Sequence, residues 1–255
     1  MFSWIHPKHT PLIVAHRGSS ARAPENTLAA FQQALRDRAD AVELDIRMTS
    51  DDEIVVVHDV TLDRTTDGRG RVSHRSLSEL KSLSAGSWFH RRFSSETIPT
   101  LTEVLDLLNG QMGVNIEIKK GPRRQHRRLI EQVVRIIDDV HASRYVMLSS
   151  FHYPSLEQVK ALNSELTTGV LYHPVSGLNR SAGSLAGRYG ATYFICSQSA
   201  LRQQTVANAR AKHIMVGVYT VNSVSSLERA VRAGIDCVIT NHPAWIRKIL
   251  VRFTQ

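Results

Sequence analysis

Cysteine is almost missing from this chain: two residues, Cys196 and Cys237, in 255. Two are too few for a disulfide framework, and their spacing matches no metal-binding motif. A chain of this length can bury enough apolar surface to fold without staples, and the scarcity of cysteine fits a reducing, cytoplasmic setting. Long apolar runs are missing too. No stretch approaches the ~18 apolar residues of a spanning helix, and the opening Met1–His9 has neither an apolar core nor a small-residue cleavage site. Acidic residues are in deficit, 23 against 32 Lys and Arg, for a net charge of +9. The excess favours anionic partners without choosing among phosphate compounds, nucleic acid and lipid surfaces, and it equally serves solubility. No basic motif interleaved with aromatics occurs, so no nucleic acid partner is expected. Internal repeats and low-complexity segments are absent.

What is present is alternation. Short β-branched runs near Leu12–Ala15, Ala41–Ile46, Val114–Ile118, Tyr145–Leu148, Gly169–Tyr172, Thr192–Cys196, Met215–Tyr219 and Cys237–Thr240 are separated mostly by helix-length amphipathic segments. One helix is expected over Thr27–Asp37, capped by Asn26. Another is expected over Gln125–Val140, and a third around Pro154. A fourth over Ser223–Arg232 would be capped by Asn222 and ended by Gly234, and Pro243 would open the last. Eight strands alternating with helices predict an α/β fold, a closed (β/α)8 TIM barrel rather than an open sheet. Two segments break the pattern. Glu53–His58 is strand-like but follows the second strand too closely for a crossover helix, so antiparallel pairing with that strand is expected. Residues 59–99 fit no βα unit and read as a small subdomain inserted after the second strand of a single 1–255 barrel domain.

Barrel enzymes work at the carboxyl ends of their strands, so polar residues there carry the chemistry. Side chains two apart on a strand share a face. Glu43 and Asp45 therefore point one way, as do Asn115, Glu117 and Lys119, and three carboxylates should enter one cavity from neighbouring strands. Carboxylate oxygens are hard ligands suited to calcium or magnesium. A buried salt-bridge cluster is the alternative, but one lysine cannot balance three carboxylates. His16 and His58 end strands and converge on the same place, where an imidazole can give or take a proton at neutral pH. Arg17 offers a planar fork of donors to phosphate oxygens.

Taken together, His16-Arg17-Gly18, Pro24-Glu25-Asn26-Thr27, Glu43-Leu44-Asp45, His58-Asp59 with Leu62–Thr66, Asn115–Lys119, Ser149-Ser150-Phe151 and Tyr219–Asn222 resemble the glycerophosphodiester phosphodiesterase family, in its cytosolic bacterial form. The motifs fall in the family's order across nearly the whole chain. The resemblance implies metal-dependent hydrolysis of small soluble glycerophosphodiesters to glycerol 3-phosphate and an alcohol. It implies that Glu43, Asp45 and Glu117 hold a divalent cation, calcium or magnesium, and that His16 and His58 are the general acid and base. Arg17 and Lys119 would contact phosphate, while Glu25 and Tyr219 would belong to the substrate wall. The family often has Trp at the position of Tyr219 and Asp at that of Asn241. A lysophospholipase D-like enzyme on the same barrel is the nearest rival, and an inactive binding module is disfavoured because every key residue is present. The run Lys119, Lys120, Arg123, Arg124, Arg127 and Arg128 leaves room for weak contact with an anionic lipid surface.

Overall fold

The computed structural model describes residues 2–174 and 181–253. Its elements are β1 (Leu12–His16), α1 (Leu28–Arg36), β2 (Ala41–Met48), β3 (Ile54–Val56), α2 (Leu77–Lys81), α3 (Leu101–Leu108), β4 (Gly113–Ile118), α4 (Arg123–Asp139), β5 (Val146–Ser150), α5 (Tyr153–Leu162), β6 (Thr167–Tyr172), α6 (Ala182–Arg188), β7 (Tyr193–Ser197), α7 (Gln203–Arg210), β8 (Met215–Tyr219), α8 (Val224–Ala233), β9 (Cys237–Thr240) and α9 (Pro243–Leu250). Eight strands, β1, β2 and β4–β9, pair in parallel, and β9 returns to β1 to close the barrel. The expected TIM barrel is the observed fold. β3 pairs antiparallel with the end of β2, Ile46 opposite Val56 and Met48 opposite Ile54.

Alternation along the strands sorts side chains into two environments. Val42, Leu44 and Ile46 of β2 and Val114, Ile116 and Ile118 of β4 face outward into a core shared with α1, α3 and α4. Their neighbours face the barrel axis. At its lower end Leu12, Val14, Ala41, Met147, Tyr193, Cys237 and Ile239 fill the axis around Trp4. Trp4 donates from Nε1 to the Tyr145 carbonyl at 2.9 Å and accepts at its own carbonyl from the Tyr193 hydroxyl at 2.8 Å. Both cysteines are buried free thiols, and burial pushes Cys196 up to about 12. No helix among the described residues is long and apolar enough to cross a membrane.

Several boundaries differ from expectation for local reasons. Thr27, not Asn26, caps α1; Asn26 sits at φ 58° and is drawn to Asp45 instead. Ser223, not Asn222, caps α8 through a capping box with Ser226, while Asn222 Oδ1 accepts from Thr240 Oγ1 and the Asn241 N–H. α4 begins two residues earlier than expected, which brings Arg123 and Arg124 into its first turn. α3 was not anticipated, although the box formed by Thr100 and Glu103 signals its start. Residues 59–99 carry two 3-10 turns and α2. Leu62, Val72, Leu80, Ala85 and Ile98 form a separate apolar cluster there, joined by Val55 and Val57.

Candidate active site

The polar end of the barrel axis is set by register. His16 lies beside Glu43, Glu43 beside Asn115, and Asp45 beside Glu117. The strands thus bring Asp45 and Glu117 to one level, with Glu43 and Asn115 one layer nearer the apolar filling. One oxygen each from Glu43, Asp45 and Glu117 lies within 4.8 Å of the others, and all three residues are buried. This cluster of hard donors could hold a metal ion.

The loop after β1 wraps the cluster. Gly18, at φ 79°, lets the chain turn where a Cβ would lie 2.7 Å from Ala30. Arg17 and Asn26 also hold left-handed backbone there. Such residues cluster where geometry is over-determined by function. The turn aims the Arg17 N–H at Glu43 Oε2, 3.0 Å away, and its Nε at Asp45 Oδ2, 3.3 Å away. Asn26 donates to the same Asp45 oxygen at 2.8 Å. Lys119 Nζ lies 2.5 Å from Glu117 Oε1 and 2.9 Å from Asp45 Oδ1, the latter an ion-pair contact without hydrogen-bond alignment. Two cations therefore approach the cluster, not the single lysine expected. They fall short all the same: 3 carboxylates less 2 cations leaves one negative charge uncompensated.

The titration of these groups records that shortfall. Burial, reinforced by Asp45 and Glu117, raises Glu43 well above the carboxylate range. Burial pushes Glu117 up to about 7 against the pull of Lys119. Burial acts on Asp45 in the same sense, but Lys119 and Arg17 overcome it and hold that carboxyl below its usual value. Without a cation, then, the cluster prefers to keep protons. A divalent ion would supply the missing charge, and the Asn115 amide, buried with both side-chain atoms unpartnered, faces the same cavity.

Each histidine has its own support. His16 Nδ1 meets Asn241 Oδ1 at 2.7 Å, which turns Nε2 toward Glu43 at 3.9 Å. Burial and then Arg17 bring its pKa down to about 4. His58 Nδ1 meets Asp59 Oδ1 at 2.6 Å, and its carbonyl accepts from Arg47. Arg64 donates to Asp59 at 2.6 Å and grips Glu25 with two nitrogens at 2.7 and 2.8 Å. Glu25 in turn accepts from Arg17 at 2.7 Å. That hydrogen bond from Arg64, above all, lowers Asp59 to about 2. His58 itself is lowered by burial, against Asp45.

His16, Arg17, Glu43, His58, Glu117, Lys119 and Tyr219 line one cavity of about 320 Å³, with Phe151 forming an aromatic wall against Tyr219 at a centroid distance of 6.1 Å. Asp45 lies beneath it. Glu25 stands behind Arg17, held by Arg17 and Arg64, and does not face this cavity. The family model described as the glycerophosphoryl diester phosphodiesterase family matches residues 16–245. The chain belongs to that family. A glycerophosphodiester phosphodiesterase of Caldanaerobacter subterraneus subsp. tengcongensis is 37% identical over 233 residues, covering 91% of this chain and 94% of that one. An Oleispira antarctica phosphodiesterase solved with its product sn-glycerol-3-phosphate is similar at a TM-score of 0.84 and 31% identity, over 94% of this chain and 97% of that one. The glycerophosphodiester phosphodiesterase of Agrobacterium tumefaciens str. C58 is similar at 0.82 and 27%, over 94% and 100%.

In this family member the supporting residues are less legible in the sequence than the central ones. Asn26, Asp59, Arg64 and Asn241 all lie in or beside recognisable motifs, yet their partners are distant in sequence. The basic run is also less open than its sequence implies: Arg127 pairs with Glu131 at 3.0 Å and Arg128 with Asp52 at 2.6 Å.

Proposed function

We propose that this chain hydrolyses glycerophosphodiesters to glycerol 3-phosphate and an alcohol in the cytoplasm, with calcium or magnesium held by Glu43, Asp45 and Glu117. The observation that carries this reading is the buried three-carboxylate cluster lying in one site with His16 and His58. A hard divalent cation, when bound, would neutralise the carboxylates and polarise the phosphate oxygens.

The chain's own residues divide the remaining work. Arg17 and Lys119 face the cavity as phosphate contacts, and charge-assisted hydrogen bonds of this kind are the strong ones. His16 is the general base. Its Nδ1–H is held by a neutral amide oxygen, which leaves Nε2 free to take a proton from the attacking hydroxyl. His58 is the general acid. Its Nδ1 faces an ionised carboxylate, which works against the lowering by burial and so supports the protonated ring that must deliver a proton to the leaving oxygen. Glu25, through Arg64 and Arg17, positions the phosphate-binding arginine and the Asp59–His58 pair in one network. Tyr219 and Phe151 give the substrate an aromatic wall. Residues 59–99 act as an inserted subdomain, with their own apolar cluster holding Asp59 and Arg64 over the barrel mouth.

The test is release of glycerol 3-phosphate from glycerophosphocholine, with and without a chelator. Glu43→Ala, Asp45→Ala and Glu117→Ala should each abolish release and weaken cation binding. Full activity in excess chelator would overturn the cation. Failure to cleave any glycerophosphodiester, with the cation supplied, would overturn the function.

A further inference from the structure

A second cavity of about 240 Å³ adjoins the candidate active site, and Lys119 is a wall of both. Three separate segments build it: the end of β2 with Arg47, the 59–99 segment with Arg71, and the loop from β4 into α4 with Lys119 and Lys120. Four cations thus line one hollow on an otherwise largely apolar wall that includes Val60, Val72 and Leu129, and no carboxylate does. Lys119 is committed to Asp45 and Glu117. Arg47, Arg71 and Lys120 form no ion pair with a carboxylate among the described residues; the Arg47 guanidinium donates to the His58 carbonyl, at 2.9 and 2.6 Å, and feels Asp45, Asp59 and Glu117 only at longer range. His126, buried in the same wall, spends Nε2 on Ser155 and leaves Nδ1 without a hydrogen-bond partner. Exposed cations ordinarily diverge into solvent, where salt screens them. Here cations from three parts of the chain border one hollow, and a concavity whose only charges are of one sign concentrates the opposite ion.

The position of the hollow says which part of a substrate would reach it. Its wall includes Arg47, which holds the backbone of His58. In the reading above, His58 serves the leaving oxygen, so the departing alcohol lies on this side of the phosphate. We infer that this cavity is the subsite for the alcohol half of the diester, and that it selects alcohols carrying a further anionic group, a phosphomonoester above all. The inference rests on the proposed activity and names its substrate class.

Arg71 and Lys120 are exposed and outside the catalytic set, so Arg71→Gln and Lys120→Gln should leave the fold and the basal reaction intact. The experiment compares kcat/KM for glycerophosphocholine with that for a glycerophosphodiester whose alcohol bears a phosphate, at low and high salt. Wild type should prefer the phosphorylated substrate. The double variant should lose about tenfold in kcat/KM on it, mostly through KM, which corresponds to about 1.4 kcal/mol. Glycerophosphocholine should be nearly unaffected, and the difference should shrink at high salt. Equal losses on both substrates, or none, would overturn the inference. So would competitive inhibition by inorganic phosphate that the double variant relieves while wild type shows no preference among diesters, since the hollow would then hold only a free anion. If no diester is cleaved at all, the proposed activity falls first. Calorimetric binding of the phosphorylated diester, present in wild type and lost in the double variant, would then still report on the hollow by itself.

Discussion

The His16 imidazole and the Asn241 amide stand 225 positions apart in sequence and meet at 2.7 Å, nitrogen to oxygen. β9 lies next to β1 at the seam of the barrel, so the residue following β9 reaches the histidine that ends β1. His58 is held quite differently, by the carboxylate of the next residue. One histidine is oriented by a neutral group and the other by a charged one, a difference that the proposed mechanism uses to divide base from acid.

His16→Ala and His58→Ala should each lower kcat by roughly 10²–10⁴, the usual contribution of a placed acid or base. Groups that act on one transition state do not add. The double variant should therefore be scarcely slower than the worse single one. Steady-state kinetics on glycerophosphocholine checks this, and losses that multiply in full would mean that the rings contribute independently to the transition state.

Asp59→Asn should remove the charge facing His58 while keeping its shape. We expect a loss in kcat smaller than that of His58→Ala, with KM little changed and the alkaline limb of the pH–rate profile moved to lower pH, since Asp59 raises the His58 pKa. Arg64→Ala should reproduce part of this loss and also raise KM, because Arg64 holds Glu25, and Glu25 holds Arg17. An unchanged profile in both variants would separate the network from catalysis.

The carboxylate cluster should leave a mark on stability. Glu117 titrates near 7 in the fold against an ordinary 4.5. Between those values the native state keeps a proton that the unfolded chain has released, so this group's contribution to stability falls as pH rises and is fully lost above pH 7. His16, with its pKa lowered to about 4, works in the opposite sense over the range from 4 to 6.5. The comparison must therefore be with Glu117→Gln. The Tm of that variant should gain on the metal-free wild type as pH rises from about 4.5 to 7.5. Saturating calcium or magnesium should cancel the gain by restoring wild type alone. A Tm difference that does not vary with pH would place the raised carboxyl elsewhere.

Leu80 is fully buried within residues 59–99. Leu80→Ala should cost about 2–5 kcal/mol, the range for emptying a packed leucine site. If the segment is a subdomain, limited proteolysis should cut within 59–99 while the barrel remains folded. One cooperative unfolding with no new cleavage there would make the segment part of a single core.

Glu43, Asp45, Glu117 and His16 could be read from sequence because strand periodicity is local: two residues apart means one face, and the end of a barrel strand is the end of the barrel. His58 lies two residues past β3, outside the barrel, and only its motif with Asp59 marks it. The eightfold count likewise carried the closed topology. What escaped were contacts made by closure. Asn26 looked like a cap because an Asn before a helix usually is one, yet a buried Asp45 offered it a stronger partner. Arg128 belongs to a run, Lys119–Arg128, that holds no acid, while its partner Asp52 arrives from the β2–β3 turn. The hollow beside Lys119 exists only where three segments meet, and no single segment encodes it.

The bonds of Trp4 carry a consequence for how the molecule is made. Its carbonyl waits for a hydroxyl 189 residues further on, and its ring packs against that same Tyr193. β1 similarly waits for β9. Contacts of such separation are slow to form, since loop closure must precede any gain from them. A growing chain must therefore carry an exposed tryptophan and a first strand open along one edge through most of its synthesis, a period in which partly built barrels are open to aggregation and to binding by chaperones.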